Sequence, residues 1–183
     1  DDVAKGIDYK TCEVKVFVKT QSPDIAQGVN RSDDNSVLGA GDQGIMFGYA
    51  TNETEELMPL PSLLANKLTK QLTKVRKEDK KSPLKPDGKS QVTVEYAGNT
   101  PKRIDTIVIA SQHIENITQE ELQKYIKENV IDKVISTNLV DKDTKILINT
   151  SGSFVVGGPF GDSGTTGRKI VVDSYGGSAK VGG

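Results

Sequence analysis

The chain has 183 residues, 34% hydrophobic and 27% charged, which allows one large domain or two small ones but not one thick core. Its 24 basic and 25 acidic residues nearly cancel, which argues against a general nucleic-acid binder built on a basic excess. The sequence contains no apolar run long enough to span a bilayer and no signal-peptide pattern. Cys12 is the sole cysteine, so no intrachain disulfide can form and a cytoplasmic location is expected. A single histidine, His113, beside a single cysteine excludes the common His/Cys zinc arrangements within one chain. The opening Asp1-Asp2 lacks a methionine and the closing Gly182-Gly183 completes no element, so a piece of a longer protein is expected.

The segment CEVKVFVK at 12–19 alternates Cys12, Val14, Val16 and Val18 with Glu13, Lys15, Phe17 and Lys19. Apart from Phe17, that predicts a half-buried strand. Residues 20–39, TQSPDIAQGVNRSDDNSVLG, are polar and interrupted by Pro23, Gly28 and Gly39, the pattern of a functional or disordered loop. IMFGYA at 45–50 predicts another strand. Pro61 and Ser62 open a helix with Leu64, Leu68, Leu72 and Val75 on one face. Its later turns carry Lys67, Lys70, Lys74, Arg76 and Lys77, which suit the helix dipole and form a solvated face.

SQVTVEY at 90–96 and RIDTIVIAS at 103–111 predict a strand pair joined across Gly98 and Asn99. Thr118 and Glu121 have the spacing of a capping box, ahead of an apolar stripe of Leu122, Ile126, Val130 and Val134. KILIN (145–149), FVVGG (154–158) and KIVVD (169–173) supply further strand candidates. The order predicts an α+β fold: two pseudo-repeated units of mostly antiparallel sheet with helices packed on one face. The expected division is 1–84 and 85–183.

Three glycine-bearing motifs invite a functional reading. GAGDQG at 39–44 matches G-x-G-x-x-G, but a polar loop precedes it and a strand-like segment follows, so the dinucleotide context is wrong. It reads as a turn, plain or carrying a buried functional Asp42. PDGK at 86–89 has the residues of an ordinary turn; its functional reading aims Asp87 and Lys89 at a ligand from the entrance of the strand at 90–96. GGPFGDSGTTGRKIVVDSYGG at 157–177 sets Asp162, Arg168 and Lys169 among glycines that let backbone N–H groups approach an anion. It is no P-loop, because Gly161 and Gly167 enclose five residues and Arg168, Lys169 and Ile170 follow. His113, with no partner histidine, is expected to be structural or at the surface.

Taken in order, QSPDIAQGV, GAGDQGIMFGYATNE, LKPDGKSQVTVEY and GGPFGDSGTTGRKIVVDSYGG resemble the S-adenosylmethionine synthetase (methionine adenosyltransferase) family. The resemblance runs from about Cys12 to Gly183, and GAGDQGIMFGYATNE is its most specific part. It implies a three-domain fold in longer chains, with a His-Pro-Asp motif upstream of Asp1 and a glycine-rich phosphate loop beginning near Gly182. It also implies synthesis of S-adenosylmethionine: the methionine sulfur attacks ribose C5′ of ATP and expels triphosphate, which is then hydrolysed. A neutral thioether needs no general base, so the site has to align the reactants and stabilise a departing polyanion.

The resemblance further implies roles for particular residues. Asp87, Gly88 and Lys89 match an ATP-binding segment, with Lys89 on the phosphates and Asp87 near the ribose. Ser153 and Phe154 match the adenine site, Phe154 stacking on the base, although many members carry arginine where this chain has Ser153. Asp162 matches a carboxylate that meets both ATP and the methionine ammonium, and Arg168 and Lys169 match triphosphate contacts. Gln21 matches a methionine-binding glutamine at the hinge of a gating loop, and Asp42 an acid near ribose and methionine. Lys89, Asp162, Arg168 and Lys169 are the expected catalytic set. Mg²⁺ and K⁺ are the implied ions, with important ligands outside this chain, and the implied assembly is a homodimer or dimer of dimers with sites between subunits. Neither nucleic acid nor membrane is an expected partner. The competing readings are a non-catalytic fragment or pseudo-enzyme that retains the fold and another ATP-dependent transferase.

Overall fold

The computed structural model describes residues 8–30 and 39–182. Asp1-Asp2, Gly183 and positions 31–38 of the expected gating loop lie outside the described residues. Among the described residues one sheet carries the fold: β1 (Leu84–Ala97), β2 (Thr100–His113) and β3 (Lys145–Ile148), in the order β1-β2-β3. β1 and β2 are antiparallel, and β2 and β3 parallel. The helices are α1 (Pro23–Val29), α2 (Leu60–Glu78) and α3 (Gln119–Ile126), the last running through a π-helical turn (Lys127–Ile131) into α4 (Asp132–Val134). The α+β class and the mostly antiparallel sheet agree with expectation.

Periodicity explains α2. Leu60, Leu64, Leu68 and Leu72 recur every fourth residue, all are buried, and the helix packs on β1. Ser90 Oγ straps the two elements by donating to the Ala65 carbonyl at 2.7 Å. From β2, Ile104, Ile107 and Ile109 enter the same core. Strict alternation would turn Ile104 away from Ile107; the register shift opposite Thr93 and Val94 leaves Asp105 as an extra residue and resets the pattern. Gly98, with φ 61°, supplies the left-handed conformation at the first position of the two-residue hairpin turn.

The capping box of α3 forms in both directions: Glu121 N–H donates to Thr118 Oγ1 at 3.2 Å and Thr118 N–H to Glu121 Oε2 at 3.0 Å. Leu122, Ile126 and Val130 are fully buried and Val134 half-buried. An i+4 stripe drifts around an α-helix, and the wider π turn keeps Val130 and Ile131 on the core side.

Four expected strands are not formed. Segments 12–19, 45–50 and 154–158 join no ladder, and Val14, Val16 and Val18 are at least three-quarters exposed. Alternation says which side chains would face a core, but a strand also needs a neighbour for its N–H and C=O groups. Among the described residues nothing pairs with 12–19 or 45–50. At 154–158 the chain swings away through Gly158 at φ 65°, and 169–173 is a turn in which Val172 N–H donates to the Lys169 carbonyl at 3.1 Å. Within the expected loop at 20–39, Pro23–Val29 is helical; Ser22-Pro23-Asp24 is itself a helix-start sequence.

Candidate active site

The start of β1 and the end of β2 lie side by side, Leu84 opposite His113 and Gly88 opposite Ser111. Four steps along β1 therefore match two along β2, so PDGK is no surface turn but a bulge inside a strand. Pro86 explains it: without an N–H it cannot serve a ladder, and strands accommodate proline at such irregularities. The bulge re-aims Asp87, whose Oδ2 accepts from the Gly158 N–H at 2.9 Å, 71 residues along the chain.

Two buried residues at the end of β2 organise what lies opposite. Gln112 accepts from the Asp87 N–H through Oε1 (3.3 Å) and donates from Nε2 to the Val155 carbonyl (2.9 Å). The His113 main-chain N–H donates to the Phe154 carbonyl at 3.0 Å, while its ring Nε2 accepts from the Phe154 N–H, also at 3.0 Å. Nδ1 lies 2.7 Å from the Ile114 carbonyl, which can only accept. Nδ1 thus carries the proton and Nε2 is the acceptor, which defines a neutral tautomer. His113 is 4% exposed and structural, as expected.

The return from β3 is fixed by Asn149, at φ 46°. Its side chain exchanges two hydrogen bonds with Ser111, accepting from the N–H at 2.8 Å and donating to the carbonyl at 2.9 Å. Gln119 donates to the Asn149 carbonyl at 3.0 Å. Asparagine tolerates the left-handed conformation, so the chain can turn sharply toward Ser153. Gly157 then passes through a narrow gap: a Cβ there would lie 2.8 Å from Phe154 Cε2, 3.0 Å from Gln112 Cδ and 3.2 Å from Asp87 Oδ2.

The structure therefore brings Asp87 and Phe154 around Gly157–Gly158, with Gly88 and Ser153 their neighbours in the chain. Asp162 is tied in by its N–H, which donates to the Gly158 carbonyl at 2.9 Å, and its Oδ1 accepts from the Gly164 N–H at 2.9 Å. Lys89 is exposed on β1 opposite Ala110. Gln21 is exposed just before α1, and Asp42 is exposed with Oδ1 accepting from the adjacent Gln43 N–H at 2.8 Å, so it is not the buried acid of the functional reading. Arg168 and Lys169 are exposed in the turn-rich segment after Gly167. Among the described residues, no hydrogen bond or ion pair joins Gln21, Asp42, Lys89, Arg168 or Lys169 to the Asp87–Phe154–Gly158 cluster.

A polar cavity of about 50 Å³ adjoins the cluster between α2 and β1, lined in part by Thr69, Arg76, Lys85, Asp87 and Gly88. The open groove of about 540 Å³ between α3 and β3 contains none of the expected site residues. Among the described residues no group of three or more His, Cys, Asp or Glu could hold a metal ion. No helix among them is long and apolar enough to cross a membrane.

Residues 37–154 match the family model of the S-adenosylmethionine synthetase central domain, and 156–183 that of its C-terminal domain. The chain belongs to the S-adenosylmethionine synthetase family. It is 52% identical to an S-adenosylmethionine synthase of Clostridium botulinum (strain Alaska E43 / Type E3), covering 100% of this chain and 49% of that protein. A synthase of Petrotoga mobilis is 55% identical over 97% of this chain and 47% of its own length, and one of Desulfosudis oleivorans 57% over 97% and 46%. The chain spans about half the length of the curated relatives it matches. Within the synthetase match, Asp87, Gln112, His113 and Phe154 fall in the central-domain span and Gly157, Gly158 and Asp162 in the C-terminal one. The Asp87–Gly158 hydrogen bond joins the two spans.

Sequence reasoning missed Gln112, Asn149 and Gly157 as organisers of this cluster. The available signal was the polar triplet Ser111-Gln112-His113 at the end of an apolar strand, since buried polar groups must find partners.

Proposed function

We propose that the complete protein makes S-adenosylmethionine, as its relatives' name, S-adenosylmethionine synthase, says of them, and that it does so from ATP and L-methionine. The observation that carries the reading within this chain is the convergence of Asp87, Phe154 and Asp162 on Gly157–Gly158. The Asp87 carboxylate and the Phe154 ring bear on this glycine pair with their side chains, and Asp162 is tied to it through its main-chain N–H. Phe154 stacks on adenine, Asp87 and Gly88 take the ribose side, and Ser153 neighbours the base. Asp162 meets ATP and the methionine ammonium. Gln21 and Asp42 complete the methionine side when the segments that carry them close on the cluster.

The chemistry needs alignment more than activation. A sulfur lone pair forms the S–C5′ bond while the C5′–O bond breaks, and its electron pair leaves on the triphosphate oxygen. Water then splits triphosphate into pyrophosphate and phosphate. Lys89, Arg168 and Lys169 supply positive charge to the leaving group, whose bridging oxygen becomes anionic only as the bond breaks. Mg²⁺ and K⁺ are proposed as ions of the complete enzyme; among the described residues no group of three or more His, Cys, Asp or Glu could hold either. A cytoplasmic homodimer or dimer of dimers, with sites between subunits, belongs to the same proposal.

The test is product analysis of the full-length protein with ATP and L-methionine. Mass spectrometry should find S-adenosylmethionine with phosphate and pyrophosphate; ADP with a phosphorylated acceptor would refute the adenosyl-transfer reading. In that assay Lys169→Ala should lower turnover by about a hundredfold, roughly 3 kcal/mol for one lost preorganised contact, with a smaller change in the KM for ATP. A change of only a few-fold in both constants would mean that Lys169 stays in solvent.

A further inference from the structure

We infer that Gln112 and His113 are positioning residues for the nucleotide, holding both sides of the ATP site in register without touching substrate. This rests on the proposed ATP reading of Asp87 and Phe154 and adds to it the device that sets their separation.

The two residues are adjacent on one strand, and their side chains point into the same junction. Gln112 uses each end of its amide on a different segment, Asp87 on the β1 bulge and Val155 after Phe154. His113 grips Phe154 twice, through main chain and ring, and its own ring is oriented by Ile114. Gln112 is 8% exposed and His113 4%, so losing a partner leaves polar groups buried rather than rehydrated.

The two grips determine different things. The Gln112 amide spans the gap through which Gly157 passes, with Cδ only 3.0 Å from where a Cβ would sit. It therefore sets how far the Asp87 carboxylate stands from the loop whose Gly158 N–H it binds. His113 fixes the backbone of Phe154 and so the origin of its ring. Adenine and ribose are joined by a single glycosidic bond that fixes the span between them, so a preset distance between an aromatic platform and a ribose-side acid lowers the cost of binding. In the same reading methionine meets this turn only through Asp162 and is otherwise held by Gln21 and Asp42, so the signature of a positioning role is a loss much larger for ATP than for methionine.

The experiment uses the full-length protein and compares Gln112→Ala, His113→Asn and His113→Gln with Phe154→Ala. Gln112→Ala and His113→Asn should each raise the KM and Kd for ATP by about tenfold, leaving the methionine KM within about twofold. His113→Gln should restore ATP affinity, because a glutamine amide reaches the place of Nε2 and can accept from the Phe154 N–H, whereas asparagine is too short. Thermal unfolding of each variant separates selective misplacement from general loss of structure. Unchanged ATP affinity in folded Gln112→Ala and His113→Asn, or equal losses for ATP and methionine, would overturn the inference. So would a His113→Gln variant no better than His113→Asn. If Phe154→Ala itself leaves ATP binding unchanged, the ATP reading fails and this inference with it. If Phe154→Ala weakens ATP binding while the Gln112 and His113 variants do not, only the positioning role fails.

Discussion

Replacing Gly157 with alanine separates close approach from backbone strain. Its φ of −159° is extended backbone that any residue adopts, so the added methyl acts only through the space it occupies. That space is taken: Phe154 Cε2 would be 2.8 Å away, Gln112 Cδ 3.0 Å and Asp87 Oδ2 3.2 Å. Carbon atoms pack best at about 3.5–4.0 Å, so at least one neighbour has to move by more than half an ångström. None moves alone. Phe154 is bonded to His113 on both sides of its peptide, Gln112 is held at both ends, and the Asp87 carboxylate is bonded to Gly158. The cheapest relief is for the 155–158 segment to lift away, which stretches the Asp87–Gly158 bond. Overpacking of this kind costs about 1–3 kcal/mol. The weakened charge-assisted hydrogen bond is part of that same movement and is not added to it. Displacement should appear as a loss of ATP affinity of roughly fivefold to a hundredfold, since each 1.4 kcal/mol is about a factor of ten. The assay pairs calorimetric titration with ATP and urea unfolding of the full-length protein. Gly98→Ala is the control: at φ 61° it is strained, nothing lies within 4 Å of its added Cβ, and it occupies the far end of the β1–β2 hairpin. It should destabilise by about 1–2 kcal/mol and leave ATP affinity alone. Normal affinity and stability in Gly157→Ala would refute the close approach. Equal loss of ATP affinity in Gly98→Ala would refute its locality.

Two predictions concern stability. Thr118→Ala removes the hydroxyl half of the α3 capping box and should lower unfolding free energy by about 1 kcal/mol, with Thr118→Ser restoring most of it; chemical denaturation reads both. Acid should weaken the clamp in which Arg103 donates to Asp141 from Nε at 2.6 Å and from Nη2 at 3.1 Å. Chiefly because of Arg103, the Asp141 carboxyl titrates at about 2, below the roughly 3.9 of an unfolded chain. A depressed carboxylate stabilises above its unfolded value and loses that contribution as pH falls toward the folded one. Stability should therefore decline from about pH 4 to about pH 2 less steeply in Asp141→Asn than in the parent, and identical slopes would discount the clamp.

Helices α2 and α3 were legible because every determinant is local or immediately adjacent. Leu64, Leu68 and Leu72 find their partners on β1, the next element along, and Thr118 caps residues in the following turn. The strands at 12–19 and 45–50 were misjudged for the opposite reason, since alternation describes a face but names no partner for the backbone. PDGK shows how local chemistry can be overruled. Pro86-Asp87-Gly88 favours a turn in isolation, yet the β1–β2 ladder extends past it and turns the irregularity into a bulge.

The candidate site was legible in its residue types and opaque in its assembly. Asp87 and Phe154 stand out through a family resemblance, but the contacts that bring them together are long in sequence: 71 residues from Asp87 to Gly158 and 43 from Gln112 to Val155. No spacing rule reaches that far. By the end of β2 the ladder to β1 has already claimed much of the backbone hydrogen bonding, and an apolar strand ending in Ser-Gln-His carries side-chain donors and acceptors into a buried region. They have to be satisfied by chain arriving later, and the later segment that can come close enough is the one with no side chain in the way. Gly157-Gly158 is such a segment. Read this way, a polar triplet at a strand end and a distant glycine pair are two halves of one requirement, which the glycine pattern, weighed only as a phosphate loop, concealed.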